Sequence, residues 1–250
     1  MKILFASLIA LTLLGQAYGF ETAQSVTATA ITTVPFTITA PGNYYLPADL
    51  TSTSPGVAIT INANEVVLDL NGRSLIADGA AKSPNVGIGI AVLNHEDVVI
   101  QNGDIDKFGN IGILIDATDK KKEHNQKNDV RRVNFNSDQI GVLIVSGSID
   151  LVENCEFDGG SIGIYDVASL GGDRFQQDNF ENQQGAEALN MGVGFVSTPG
   201  NGVLVEDCFF TDAQTAGAIL QGTQDRLRFN SFAHNGATHI GGLSLGLADT

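Results

Sequence analysis

Leu151-Val152-Glu153-Asn154-Cys155-Glu156-Phe157, then Asp158-Gly159-Gly160, then Ile162-Gly163-Ile164, is the stretch on which the fold turns. Apolar and polar residues alternate with period two, as in strands with one dry face. Asn, Asp and Gly punctuate them as turns. The pattern recurs. Leu75, Ile105, Phe135, Phe157, Phe180, Phe210 and Phe232 occupy one equivalent place and lie 30, 30, 22, 23, 30 and 22 residues apart. Five residues before each stand Leu70, Ile100, Val130, Val152, Phe175, Val205 and Leu227. A second short strand recurs as Gly112-Ile113-Leu114-Ile115, Gly141-Val142-Leu143-Ile144, Gly163-Ile164 and Gly217-Ala218-Ile219-Leu220. A unit of about 22 residues, swollen in some copies, predicts a stacked solenoid.

The residue after each first apolar position is polar: Asn71, Gln101, Arg131, Glu153, Gln176, Glu206 and Arg228. The sequence therefore predicts inward apolar ladders beside an outward polar column, with coils spaced about 4.8 Å apart and a rod of roughly 34 Å. No segment carries a 3.6-residue stripe, and 29 glycines argue against long helices. Leucine-rich repeats would need a denser Leu-x-x-Leu-x-Leu pattern, and a propeller a period near ~40.

These residues resemble the right-handed parallel β-helix repeat proteins, the pectate-lyase-like superfamily. The segment Thr39-Ala40-Pro41-Gly42-Asn43-Tyr44-Tyr45-Leu46, with Ala58-Ile59-Thr60-Ile61 and Val66-Val67-Leu68-Asp69-Leu70-Asn71-Gly72, is similar to the start of many secreted members. The resemblance covers residues 36–250 and implies an all-β, right-handed parallel β-helix of about seven coils. Residues 20–56 are expected to form an N-terminal cap and residues 57–250 the helix. Loops are expected near 78–85, 116–128 and 181–192, where the long repeats carry their extra residues. The superfamily includes lyases, hydrolases, adhesins and non-enzymes, so fold alone does not assign activity.

Lys2 followed by apolar Ile3 to Leu14 and by Ala17-Tyr18-Gly19 reads as a secretory leader cleaved after Gly19. Secretion to the periplasm, the cell surface or the medium is the corresponding expectation. No later run is long and apolar enough for a transmembrane helix. With 13 basic against 28 acidic residues, net charge −15, the surface as a whole is unsuited to nucleic acid. Cys155 and Cys208 occupy equivalent places two coils apart. That is about 9.6 Å at the strand spacing, so both are expected to be free thiols. Neither they nor His95, His124, His234 and His239 form a convincing metal set, and no metal or cofactor is expected.

The sharpest local anomaly is Asp119-Lys120-Lys121-Lys122-Glu123-His124-Asn125-Gln126-Lys127, followed by Arg131 and Arg132. Lys120, Lys121, Lys122, Lys127, Arg131 and Arg132 are the candidate binding residues, and an anionic polysaccharide is the candidate partner. The catalytic strings of the related polygalacturonases (Asn-Thr-Asp, an Asp pair, Gly-His-Gly, Arg-Ile-Lys) are not found. The paired carboxylates of glycoside hydrolysis therefore have no counterpart. Lyases of the superfamily use an Arg or Lys base with calcium held by clustered acids, and the place before each first apolar residue (Asp69, Val99, Asp129, Leu151, Arg174, Leu204, Arg226) holds too few acids for that. The absence of Trp lowers both the enzyme and the lectin readings. Three classes follow: a binding or structural module, a polysaccharide lyase or hydrolase with a divergent site, and an accessory protein of a periplasmic metal system. The strand-like Ile240-Gly241-Gly242-Leu243-Ser244-Leu245-Gly246-Leu247 shows no polar cap, which predicts self-association through the C-terminal coil.

Overall fold

The structure is a computed structural model that describes residues 27–116, 127–145, 150–167, 172–184, 193–198, 202–222 and 224–235. The expected leader, the lysines 120–122, His124, His239 and the C-terminal stretch 240–247 lie outside the described residues. What is described is an all-β parallel β-helix. One coil runs through Ile140–Val145, turns into Leu151–Glu153, bends at Asn154 into Glu156–Asp158, and turns again into Ile162–Val167. Repetition of this path builds two parallel sheets, one of 14 strands and one of eight. The larger sheet folds over two walls, and the bend between them is left-handed at equivalent residues, including Asn102 (φ 61°), Asn154 (φ 55°) and Asp207 (φ 55°). Asn and Asp tolerate that conformation better than other non-glycine residues, yet Arg132 (φ 51°), Gln177 (φ 57°) and Phe229 (φ 54°) adopt it at the same place, so the coil path rather than the residue type imposes it.

The expected ladder is present and one rung longer. Leu50, Leu75, Ile105, Phe135, Phe157, Phe180, Phe210 and Phe232 align in consecutive coils. The five phenylalanines stack with ring centroids 4.6–4.8 Å apart and planes within 6° of parallel. That separation is the strand spacing itself, so the backbone repeat sets the ring repeat. Residues 42–45 and 50–52, within the segment expected as a cap, pair directly with the long strand Val66–Ala77.

The first coil departs from the expected register. Leu68 and Asp69, not Leu70 and Asn71, align with Ile100 and Gln101. The register slips between Asp69 and Arg73, where Asn71 (φ 58°) and Gly72 (φ 66°) form a bulge. Counting back five residues from Leu75 therefore lands two residues late.

A second ladder faces the rings. Gly89, Gly112, Gly141, Gly163, Gly194 and Gly217 stand in successive strands of the eight-stranded sheet. A Cβ on Gly141 would lie 2.6 Å from Phe157 Cδ1 and 2.7 Å from the Gly163 carbonyl oxygen. On Gly163 it would lie 2.5 Å from Phe180 Cδ1. The rings fit because their edges meet bare backbone. On the other side of the same sheet Ile111, Ile140, Ile162, Val193 and Val196 form a separate apolar cluster. That sheet is thus apolar on both faces, the usual composition of a parallel sheet rather than an alternating one.

Candidate functional site

The outward face of the larger sheet carries the polar column. Tyr45, Asp69, Gln101, Arg131, Glu153, Gln176, Glu206 and Arg228 follow one another coil by coil. At about 4.8 Å per coil this strip is roughly 34 Å long. Its side chains are tied along the rod. Gln101 Nε2 donates to Asp69 Oδ2 at 3.1 Å, and Gln176 Nε2 donates to Glu153 Oε2 at 2.9 Å. Glu206 takes Arg174 Nη2 at 2.9 Å on one oxygen and has Arg228 Nη1 at 3.8 Å from the other.

Three of the six expected binding residues are described, and they differ in state. Arg131 pairs through Nη2 with Asp129, and its Nε lies 3.3 Å from Glu153 Oε1. Lys127 Nζ approaches the same Asp129 carboxylate at 3.9 Å. Asp129 is buried, so these two cations answer a charge inside the protein before any charge outside it. Arg132 instead donates from Nε to Asn102 Oδ1 at 2.7 Å and from Nη2 to Gln101 Oε1 at 3.3 Å. No carboxylate pairs with it among the described residues, so its charge remains available.

Two grooves open on this face. One, of about 510 Å³, is lined by Gly172, Asp173, Arg174, Gly202, Val203, Leu204, Gln224 and Arg226. Arg174, Leu204 and Arg226 share one column, so the two arginines stand two coils apart. Arg226 is exposed and has no carboxylate partner among the described residues. The other groove, of about 430 Å³, gathers Asn43, Tyr44, Tyr45, Asp69, Asn71 and Gln101 with Ala28 and Val67. Both volumes lie in the ordinary range for small-ligand sites. The sequence pointed to the loop at residues 119–127. It did not single out Arg174 and Arg226, which are seen to share a groove only once the coils are in register.

Sequence reasoning also missed an interior set of acids. It searched the place immediately before each first apolar residue. One place further back stand Asn128, Asp150, Asp173 and Asp225, which point inward. They link coils through main-chain amides: Asn128 N–H donates to Asp150 Oδ1 at 2.9 Å, and Asp150 N–H donates to Asp173 Oδ1 at 2.9 Å. Val203 N–H donates to Asp225 Oδ1 at 3.0 Å. Burial, then the neighbouring Asp173, pushes the Asp150 carboxyl well above the ordinary carboxylate range. Asp178 and Asp138 make the same kind of link, accepting from Cys155 N–H at 2.9 Å and Phe108 N–H at 2.6 Å. Burial raises both carboxyls well above the ordinary carboxylate range, which favours their neutral form.

Cys155 and Cys208 are free and buried, with Asp178 in the coil between them. His95 sits between Asn64 Oδ1 at 2.8 Å and Asn62 Oδ1 at 2.9 Å, and His234 lies on the surface 3.9 Å from Asp212. Among the described residues no three His, Cys, Asp or Glu side chains converge to hold a metal ion. No helix among them is long and apolar enough to cross a membrane. No protein-family model, no curated protein and no solved structure matches this chain.

Proposed function

We propose that this chain is a secreted or surface β-helix binding module of the pectate-lyase-like kind, holding an anionic polysaccharide against the outer face of its larger sheet. The groove between Arg174 and Arg226 carries the reading. It holds two arginines whose backbones stand two coils apart, about 9.6 Å at the strand spacing, Arg174 already paired with Glu206 and Arg226 unpaired among the described residues, with an amide at Gln224 beside them. Arginine presents a planar fork that fits carboxylates in two-point contact, and Arg226 has no internal carboxylate to satisfy. Arg132 adds a further available cation on the same side. The Tyr45 groove adds a ring face with Asn43, Asn71 and Gln101 beside it, the chemistry that packs on sugar rings and bonds their hydroxyls. The acidic body confines attraction to these places, so binding is expected to be weak and to fall with salt.

Retention on an immobilised polyuronate, compared with a neutral glucan, tests the reading. Exposed ion pairs contribute about 0.2–1 kcal/mol each, so Arg174→Ala with Arg226→Ala should weaken polyuronate retention about two- to thirtyfold. It should leave behaviour on the neutral glucan alone. Replacement of Lys120, Lys121, Lys122 and Lys127 by Ala tests the loop separately. Unchanged polyuronate retention in both variants would end the proposal.

A further inference from the structure

The rod's interior carries a carboxyl group that its hydrogen-bond links do not use. Asp166 is the penultimate residue of the strand Ile162–Val167, in the inward column that holds Val92, Ile115 and Ile144 in the preceding coils and Ser197 in the next. It is 1% exposed, and neither of its carboxyl oxygens has a hydrogen-bond partner among the described residues. Its neighbours are engaged elsewhere. Asp150 and Asp173 link coils through main-chain amides, and Asp225 accepts from Val203 N–H, Gly222 N–H and the Ser197 hydroxyl.

Among the described residues, the groups that face Asp166 offer no counter-charge. Ile144 packs from the preceding coil and Ser197 from the following one. The described charges that act on it are Asp173 and Asp225, and Asp150 feels Asp166 in turn. All are acids. A carboxylate held there would be heavily desolvated and repelled at once, whereas a neutral carboxylic acid escapes the repulsion and pays a much smaller desolvation cost.

We propose that Asp166 is a proton-operated latch at this corner of the rod: neutral, it stays inside and the corner is closed; ionised, it withdraws and releases the end of the strand Ile162–Val167. Burial first, then Asp173 and Asp225, pushes its pKa up to about 8. The closed corner therefore keeps a proton that the open corner gives up. Opening is least favourable in acid. It becomes about tenfold more favourable per pH unit above the ordinary carboxylate range, and levels off past the folded value. The corner is tight in acidic surroundings and loosens as the medium approaches neutrality.

The main chain supplies a reporter, because Thr198 N–H donates to the Asp166 carbonyl at 3.0 Å. Amide protection at Thr198 is to be measured across pH, relative to the distant strand Val98–Asp106, in the intact chain and in Asp166→Asn and Asp166→Ile. The Ile variant continues the column of Ile115 and Ile144, so it keeps the test open if the Asn amide is poorly accommodated. Between about pH 5 and pH 7, relative protection in the unaltered chain should fall about a hundredfold and stay level in the variants. A flat profile in the unaltered chain, or the same fall in both variants, overturns the latch. Failure of both variants to fold would also overturn it, since a neutral Asp166 is then not what the closed corner needs. So would recovery of protection near pH 8 on adding millimolar calcium, which would make the corner a cation site instead.

Discussion

Adding one methyl group at Gly141 sets two effects of opposite sign against each other. Gly141 does not have a left-handed φ, so on backbone grounds Gly141→Ala is permitted. Where space allows, such a change stabilises by about 0.4–1 kcal/mol through the unfolded chain. Space does not allow it here. The new Cβ would meet Phe157 Cδ1 at 2.6 Å, Phe157 Cε1 at 2.7 Å and the Gly163 carbonyl oxygen at 2.7 Å. The ring can move only by breaking its stack with Phe135 and Phe180, whose centroids lie 4.7 and 4.8 Å away. The carbonyl belongs to the neighbouring coil and cannot move without disturbing the strand pairing. Overpacking of a filled core costs about 1–3 kcal/mol, and with both a ring and a backbone carbonyl to displace the upper part of that range applies, so after the offset the net change should be a destabilisation of roughly 1–2.5 kcal/mol. Denaturant unfolding with a shared slope gives the difference directly. A Phe157→Ala background sharpens the test. Removing the ring removes one clash but leaves the carbonyl, so the added cost of Gly141→Ala should shrink without vanishing. A neutral or stabilising Gly141→Ala would refute the close contact between the glycine and phenylalanine ladders, and complete rescue by Phe157→Ala would refute the part assigned to the carbonyl.

Phe157→Ala alone should cost about 3–5 kcal/mol, and Phe232→Ala, at a partly buried ring with one described stacking neighbour, distinctly less; equal losses would count against stacking as the source. Asp178→Asn should stabilise the protein at neutral pH. Burial raises the folded-state pKa of Asp178 above its unfolded value, so its stability contribution is full in acid and lost as pH rises, and Asn removes that loss. Asn230 shows the fit in the equivalent place, accepting from Cys208 N–H at 2.8 Å and donating to the Val205 carbonyl at 2.9 Å. A melting temperature for Asp178→Asn below that of the unaltered chain at pH 7 would contradict this. Arg131→Ala leaves the buried Asp129 carboxylate with only the longer contact to Lys127 and should cost about 1–3 kcal/mol, much of it recovered by adding Asp129→Asn. Lack of recovery in the double variant would show that the arginine's packing, not its charge, matters. Burial raises the pKa of both Cys155 and Cys208, so a thiol reagent should find neither in the native protein and both after unfolding without reductant.

The repeat was legible because its ladder positions face only one another. Phe157 sees Phe135 and Phe180, so one physical demand repeats at a fixed interval and leaves a period in the sequence. Cys155 and Cys208 were placed correctly for the same reason. The register error at Leu70 has the opposite cause. A bulge changes the count without changing the composition, and Leu70 is buried whichever wall it faces. The grooves were less legible still. Arg174 and Arg226 are 52 residues apart and become neighbours only after two turns of the coil. The interior acids were overlooked because Asp in a turn ordinarily signals a solvated loop. Here Asp150 and Asp173 accept main-chain amides inside the rod, a role that composition does not distinguish from exposure.

The ladders also bear on how such a chain lengthens. Every inward column asks each coil for the same shape: a ring or branched side chain at one place, a bare backbone opposite it, and a small amide or acid at the bend. A duplicated stretch such as 151–173 would therefore meet compatible neighbours on both sides, with Phe on Phe and Gly on Gly. The one mismatch would come from the acids, since a second copy of Asp166 and Asp173 would enlarge a cluster of buried carboxyl groups that already has no cation among the described residues. Growth by whole coils is thus open to this sequence in its aromatic columns and restrained at a single corner, where each added repeat would have to trade an aspartate for a neutral residue.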